Sequence, residues 1–502
     1  MTGLTSQGNA ADSLLAALLT TPQDDAARGL AARYAPILRF DAHEPFLPLA
    51  AGYTIFRESG VSPSFQRGHK IELTRGGQPP AALAIEYAIW WDWDIGHLYE
   101  LEHAWVYVDA AGRVVRGEAS WHGGQHDMRL AGRLALDGDH ILLFSEPGKH
   151  AFAPTPEWFR ERRAEFKRSE TSTLAGVGGV LLAPYIADQV TGTPLAHRLA
   201  HTYLAGRGFE PSWDFSSRFP IGPEMLVPWP ALCEWMPRRV NAILDRLAAE
   251  IPPSAYRFLR VGHRGAAAHA PDNTLLGIRR AAALGADMVE IDVQRTADRQ
   301  VVLAHDAHLR DGDGRYWPIQ RSTLAELRRI DLGEGERIPT FAEAVDVCQA
   351  EQLGAYIELK DGGTIPGVLA TLREKKFTGH CIVGSFRPDW LAEVKAALPE
   401  VATSVLFSSL GVDPVKQAQA VGANFVHPCW ERFPNPSRLL TPEWVGRVRG
   451  AGLGIVCWHE ERPEEIAGLA RAGVDGICSD APELLARPTV GAGFPASPEG
   501  LT

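Results

Sequence analysis

The sequence predicts a two-domain chain, a mainly-β, sandwich-like N-terminal region followed by an α/β barrel of the TIM (β/α)8 type, and three observations carry that expectation. At 502 residues the chain exceeds one ordinary domain, since domains run to about 100–200 residues. Before Ile251-Pro252-Pro253, Trp and Pro are frequent and a period-two alternation recurs, as in Leu101-Glu102-His103-Ala104-Trp105-Val106-Tyr107-Val108, the pattern of half-buried strands. After it, short apolar runs alternate with helical segments to the end of the chain, over a length close to the ~250 residues usual for a (β/α)8 barrel. An open doubly wound sheet is the structural alternative.

Composition narrows the class. With 45% hydrophobic and 22% charged residues, the chain is globular and supplies a substantial core. Fifty basic against 61 acidic residues give a net charge of −11, which argues against nucleic acid as the main partner. The six cysteines are widely spaced, the first at Cys233, with no Cys-x-x-Cys pair, so neither a disulfide scaffold nor a cysteine zinc site is expected. Met1–Leu30 lacks the basic start of a signal peptide. The longest apolar stretch, Leu174–Ile186, is broken by Gly176, Gly178, Gly179 and Pro184 and is shorter than the ~20 residues of a spanning helix. A cytoplasmic protein without a transmembrane segment is the expectation.

Taken in order, residues 1–250 form the β-rich domain, ending in a connecting helix over Pro237–Glu250 with Val240, Ile243, Leu244 and Leu247 at helical spacing. Residues 251–490 form the barrel and 491–502 a flexible tail. Barrel strands are expected at Leu259–Gly262, Met288–Val293, Val301–Ala304, Ala355–Lys360, Cys381–Ser385, Thr403–Phe407, Asn424–His427, Gly454–Trp458 and Gly476–Ser479. That is nine candidates for eight staves. Only Gln294–Gln300 separates the second from the third, whereas a parallel crossover needs at least about 10–12 residues, so a hairpin excursion is expected there. Which strand is the extra one is not fixed by the pattern.

Strand alternation places Glu290 and Asp292 on one face, opposite Val289, Ile291 and Val293, and puts Glu358 with Lys360 opposite Ile357 and Leu359. Three inward carboxylates need compensation, because a buried charge is costly unless paired or metal-bound. A hard divalent cation on Glu290, Asp292 and Glu358, with Lys360 beside it, brings their sum to zero. Two histidines arrive at the same mouth, in His263-Arg264-Gly265 after the first strand and His305-Asp306 after the third. Their side chains suit proton transfer near neutrality. The Gly265-Ala266-Ala267-Ala268 loop leads through Pro271-Asp272-Asn273-Thr274 into a helix, where backbone can approach an anion. Singly, such a histidine is usually just solvated and a Glu-x-Asp pair usually faces the surface. Their conjunction at the C-terminal ends of strands of one barrel points to function.

Together, His263-Arg264-Gly265, Pro271-Asp272-Asn273-Thr274, Glu290-Ile291-Asp292-Val293, His305-Asp306, Ile357-Glu358-Leu359-Lys360 and Gly473-Val474-Asp475-Gly476-Ile477-Cys478-Ser479-Asp480 closely resemble the glycerophosphodiester phosphodiesterase family over about residues 258–487. The resemblance implies a TIM barrel of the PLC-like phosphodiesterase type that hydrolyses glycerophosphodiesters to glycerol 3-phosphate and an alcohol. It implies one divalent cation, Mg2+ or Ca2+, on Glu290, Asp292 and Glu358, with His263 and His305 as the acid/base pair. Arg264 and Lys360 would contact the phosphate, and Trp458 would pack against a glycerol-like group. The substrate would be a small phosphodiester or, in a lysophospholipase D-type variant, a lysophospholipid; a non-catalytic binding module is the alternative from another class. Asp272 stands where the family has Glu, Arg310-Asp311-Gly312-Asp313-Gly314 replaces a Thr-rich segment, and Trp458-His459-Glu460-Glu461 replaces Trp-Thr-Val-Asn. Glu461 therefore adds a negative charge to the rim, which would suit a cationic alcohol.

The N-terminal half carries a second dense cluster, Asp92, Asp94, His97, Glu100, Glu102 and His103, followed by His122, His126, Asp127 and His150. Alternation sets Glu102 on the face of Ala104, Val106 and Val108, so it needs a partner. A second metal site on Asp94, His97, Glu102 and His122 is one reading; hydrogen-bonded polar groups of a β-sandwich are the other. Gly96-His97-Leu98-Tyr99-Glu100-Leu101-Glu102 is loosely similar to a segment of necrosis-inducing-protein-like β-sandwiches, in Gly, His and the final Glu alone. The Trp90-Trp91-Asp92-Trp93 run is expected in the core, and the basic residues Arg160–Arg163, Lys167 and Arg168 on a solvated face.

Overall fold

The computed structural model describes residues 10–65, 67–163, 175–184, 186–190, 192–378 and 381–485. The expected tail at 491–502, the last barrel residues 486–490, and Lys167 and Arg168 lie outside them. The chain divides into two compact units, one of residues 1–192 with 199–251 and one of residues 193–198 with 252–502.

The N-terminal unit is mainly β. Its larger sheet runs in the order Leu226–Pro228, Ala50–Phe56, Leu83–Trp93, His97–Val108, Val114–Trp121 and Gly124–Asp127, with Gly179–Val180 added in parallel to His97–Val108. A second sheet joins Leu136–Asp137, His140–Ser145, Ile37–Phe40 and Ser217–Pro220, with Phe152–Ala153 on His140–Ser145. Leu83–Trp93 and His97–Val108 pair antiparallel along almost their whole length, Leu83 opposite Val108 and Trp93 opposite Leu98. Aromatic side chains fill the core: Trp90 and Trp91 are fully buried, Trp90 stacking on Tyr99 at 4.8 Å. They are packing residues, as expected.

The connecting helix begins earlier than its sequence pattern implies, at Trp229, and continues to Glu250 straight through Pro237. Proline removes a backbone donor and costs an isolated helix about 3 kcal/mol. Here Trp235, Met236, Val240, Ile243 and Leu244 are all buried, and tertiary packing rather than propensity decides helix formation. Ile251, just before Pro252-Pro253, caps its end.

In the C-terminal unit, eight parallel strands close in the order Leu259–Gly262, Gly476–Ser479, Gly454–Cys457, Phe425–Pro428, Ala402–Phe407, Cys381–Ser385, Gly354–Leu359 and Met288–Arg295, the last pairing back to the first. The surplus ninth is Val301–Leu303, which pairs antiparallel with Met288–Arg295, Val293 facing Leu303. It is the hairpin that the short connection required. Alternation sorts side chains into two layers. Val289, Ile291, Val293, Ile357 and Leu359 pack outward under the helices, while Met288 and Tyr356 form an apolar plug inside the barrel with Val261, Ile382, Leu406 and Val456. The next inward positions along the same two strands are Glu290, Asp292 and Glu358, so the acidic layer lies directly above an apolar one.

Candidate active site

Register sets the acidic layer: Asp292 lies opposite Glu358, and Glu290 opposite Tyr356. Ligand oxygens of Glu290, Asp292 and Glu358 lie within 4.8 Å of one another, and all three residues are essentially inaccessible. Burial, then Asp292 and Glu358, push the Glu290 carboxyl well above its usual range. Burial and then Asp292 push Glu358 up to about 7. Lys360 partly answers this charge, its Nζ standing 2.7 Å from Glu358 and 3.3 Å from Asp292.

The loop after the first strand builds the rest of the floor. Arg264 and Asn273 adopt left-handed backbone, φ 48° and 57°, uncommon for non-glycine residues and concentrated at functional sites. The Arg264 backbone N–H donates to Glu290 Oε2 at 3.0 Å, and the Asn273 amide clamps Asp292 twice, donating to Oδ2 at 2.9 Å and accepting from its backbone N–H at 3.0 Å. Gly265, at φ 96°, lets this loop touch the following helix: an added Cβ would meet the Gly277 backbone at 2.6 Å. Even so, Glu290 Oε1, Asp292 Oδ1 and Glu358 Oε2 remain buried without a hydrogen-bond partner. Buried polar groups are usually satisfied, and these acceptors, of which Asp292 Oδ1 has the Lys360 ammonium at 3.3 Å, are ones a cation could satisfy. The chemistry of this donor set, carboxylate oxygens only, suits a hard divalent ion.

His263 stands over that layer, nearly buried. Its Nδ1 bonds Asp480 Oδ1 at 2.6 Å, which places the ring N–H there and leaves Nε2 as the free base; Nε2 is 3.9 Å from Glu290 Oε2 and otherwise unpartnered. Burial holds its pKa below the ordinary histidine value, against the opposing pull of Asp480. The ring stacks on His459 at 4.6 Å and meets Trp458 edge-on at 5.2 Å. His305 is more exposed and bonded through Nδ1 to Asp306 at 2.8 Å. It lines a cavity of about 460 Å³ with Arg264, Asp272, Asn273, His308 and Arg310. Arg264 and Asn273 join that cavity to the carboxylates, the Arg264 Nε lying 3.6 Å from Asp292.

Four side chains of this site were not expected as participants. Asp480 and His459 flank His263, and with it form a second cluster of ligand-capable atoms within 4.8 Å. His427 and Tyr356 bond each other at 2.7 Å, burial holding His427 down to about 3. His427 stands one residue before the end of its strand, as His263 follows one, which was the available signal. Glu461, expected to charge the rim, is instead engaged inside the site: it accepts from the Asp480 backbone N–H at 2.8 Å and from Ser479 Oγ at 3.2 Å, and faces His459 Nδ1 at 3.2 Å. Its charge faces histidine and backbone donors, and its side chain stays 35% exposed.

The expected second site is regrouped. Asp94 and His97 come within 4.8 Å of Glu100, not of Glu102 and His122. Glu102 accepts from Ser120 Oγ on the neighbouring strand, and burial followed by Glu100 pushes its carboxyl well above the usual range. His122, in the turn after Val114–Trp121, lies 2.8 Å from Glu146. Cross-strand partners, invisible to alternation along one strand, took these two side chains. All of them still line one cavity of about 440 Å³.

A closed parallel barrel with an acidic layer, a lysine and a carboxylate-held histidine at the C-terminal strand ends defines a hydrolase-type TIM barrel. A family model described as the glycerophosphoryl diester phosphodiesterase family matches residues 263–484. The chain is 31% identical over 240 residues to a glycerophosphodiester phosphodiesterase of Caldanaerobacter subterraneus, covering 45% of this chain and 96% of that one. It is 27% identical over 261 residues to one from Bacillus subtilis, covering 45% and 85%. Among solved structures it is similar to an Oleispira antarctica phosphodiesterase in complex with the product sn-glycerol-3-phosphate, at 26% identity, 45% and 94% coverage and a TM-score of 0.40. The chain belongs, through its C-terminal half, to the glycerophosphoryl diester phosphodiesterase family of phosphoric diester hydrolases. No helix among the described residues is long and apolar enough to cross a membrane.

Proposed function

We propose that the barrel hydrolyses glycerophosphodiesters to glycerol 3-phosphate and an alcohol, with one divalent cation held by Glu290, Asp292 and Glu358. The observation that carries this is the set of three buried carboxylates, each with an oxygen that makes no hydrogen bond, next to the free Nε2 of His263. A bound Mg2+ or Ca2+ would supply Lewis-acid polarisation of a phosphoryl oxygen. The protein supplies the rest. His263, its N–H fixed on Asp480, takes at Nε2 the proton of the attacking hydroxyl, the substrate's neighbouring one or that of water; His305, on the cavity wall, gives one to the leaving alkoxide, and where the neighbouring hydroxyl attacks, water then opens the cyclic phosphate to glycerol 3-phosphate. Arg264 and Lys360 flank the carboxylates and bind the phosphate, and Trp458, edge-on to His263, packs the glycerol moiety. The names of the relatives support the substrate class.

The test is hydrolysis of glycerophosphocholine, glycerophosphoethanolamine, glycerophosphoglycerol and lysophosphatidylcholine by the EDTA-treated chain, with Mg2+ or Ca2+ restored. Metal-dependent release of glycerol 3-phosphate, lost in Glu290→Ala, is expected. Turnover of lysophosphatidylcholine alone would transfer the site to lysophospholipids. Equal turnover in EDTA would end the metal assignment.

A further inference from the structure

In the N-terminal unit, Leu83–Trp93 turns into His97–Val108 through Asp94-Ile95-Gly96, and the turn gathers donors. His97 Nδ1 bonds the carbonyl oxygen of Tyr99 at 2.8 Å. A carbonyl only accepts, so an N–H is on Nδ1 and Nε2 is the nitrogen left for a ligand. That Nε2 faces two carboxylates, 3.9 Å from Asp94 Oδ1 and 3.6 Å from Glu100 Oε2. A backbone carbonyl fixing the remote nitrogen is the usual support of a metal-binding histidine.

The acidic groups are under-compensated. Asp94 is buried; its Oδ1 takes the Gly96 N–H and Lys149 Nζ, the latter at 2.8 Å, while Oδ2 has no hydrogen-bond partner among the described residues. Glu102, buried beside them, adds a third carboxyl group, and His122 is already committed to Glu146. Among the described residues, Lys149 is the lysine that faces the trio, with His97 and His150 as the neighbouring imidazoles. The ligand-capable atoms of Asp94, His97 and Glu100 meet within 4.8 Å at the wall of the 440 Å³ cavity.

We propose that Asp94, His97 and Glu100 form a second cation site, separate from the barrel, which holds a divalent first-row transition metal with its remaining positions open to that cavity. Donor chemistry sets the choice of ion. The barrel offers carboxylate oxygens alone, the set preferred by Mg2+ and Ca2+; an imidazole among the donors favours Zn2+ or its neighbours. Three protein ligands, rather than four, is the arrangement of a site that exchanges a ligand.

The test uses the full chain, stripped with EDTA, returned to millimolar Mg2+ and dialysed against micromolar Zn2+, with metal counted by elemental analysis. One Zn2+ per chain is expected in wild type and in Glu290→Gln, and at least tenfold weaker retention in Asp94→Asn and in His97→Ala. Co2+ substitution adds a readout independent of activity: visible absorption bands in wild type that change in His97→Ala. Circular dichroism of both variants separates ligand loss from unfolding, and Glu100→Gln gives a third variant at a less buried position. No Zn2+ on wild type, retention unchanged in folded Asp94→Asn, or loss in His459→Ala instead, which would put the ion at His263, His459 and Asp480, would each overturn the proposal.

Discussion

In the barrel, three carboxylates come from two adjacent parallel strands whose inward positions recur every second residue, whereas the N-terminal cluster draws Asp94, His97 and Glu100 from one turn and the opening of one strand. Both set three clustered acidic groups against a lysine, Lys360 in one case, with Arg264 beside it, and Lys149 in the other. The barrel donors lie on strands with ladder partners on both sides; of the N-terminal donors, His97 lies opposite Gly179 and Glu100 opposite Trp91, while Asp94 belongs to the turn. The contrast teaches that charge imbalance marks a site, while the scaffold beneath it sets how accurately the donors are placed.

Substitutions break the comparison in order of expected effect. Glu290→Ala should reduce diester hydrolysis to background in a product-release assay, with N-terminal Zn2+ retention untouched. His263→Ala should cost about 10²–10⁴-fold in turnover and His305→Ala at least about tenfold; activity within tenfold of wild type in either variant would exclude the two-histidine scheme. Asp480→Asn should move the acid limb of the pH–kcat/KM profile to lower pH, because the Asp480 contact raises the His263 pKa and its loss leaves only the depressing effect of burial.

Glu358 sharpens the barrel side. Its folded pKa of about 7 exceeds the ordinary carboxyl value, so between those values the folded, metal-free chain binds more protons than the unfolded chain, and stability falls as pH rises through that window. The metal-free Tm should therefore drop between about pH 5 and pH 8, Mg2+ should restore more of it at pH 8 than at pH 5, and Glu358→Gln should flatten the trend in a thermal scan. The smallest effect is expected of Asp94→Asn, which should leave glycerophosphodiester turnover within about twofold of wild type while removing the N-terminal ion.

Much of the barrel was legible because its rules are local: period-two alternation set the faces of Glu290, Asp292 and Glu358, and the shortness of Gln294–Gln300 announced the hairpin. The identity of the surplus strand was not legible, since Val301–Leu303 is distinguished by its pairing direction and not by its composition. Partners across the closed barrel were equally hidden. His263 and Asp480 are 217 residues apart, and Glu461 looked like a rim charge until Ser479, Asp480 and His459 were brought beside it. In the N-terminal unit, neighbouring strands removed Glu102 and His122 from the expected set through Ser120 and Glu146, contacts that no single-strand pattern contains. Pro237 is the plainest case of packing overriding propensity.

The bond between His263 and Asp480 also has a meaning in time. The first barrel strand leaves the ribosome long before the last, and at about 5–20 residues per second the 217-residue interval amounts to tens of seconds. Throughout it the base has no carboxylate to fix its tautomer, and Leu259–Gly262 has no Gly476–Ser479 to close against. The nitrogen proposed to accept the proton is thus oriented only after the eighth barrel strand is made, so a barrel truncated before Asp480 should keep its carboxylates and histidines while losing the contact that fixes the ring.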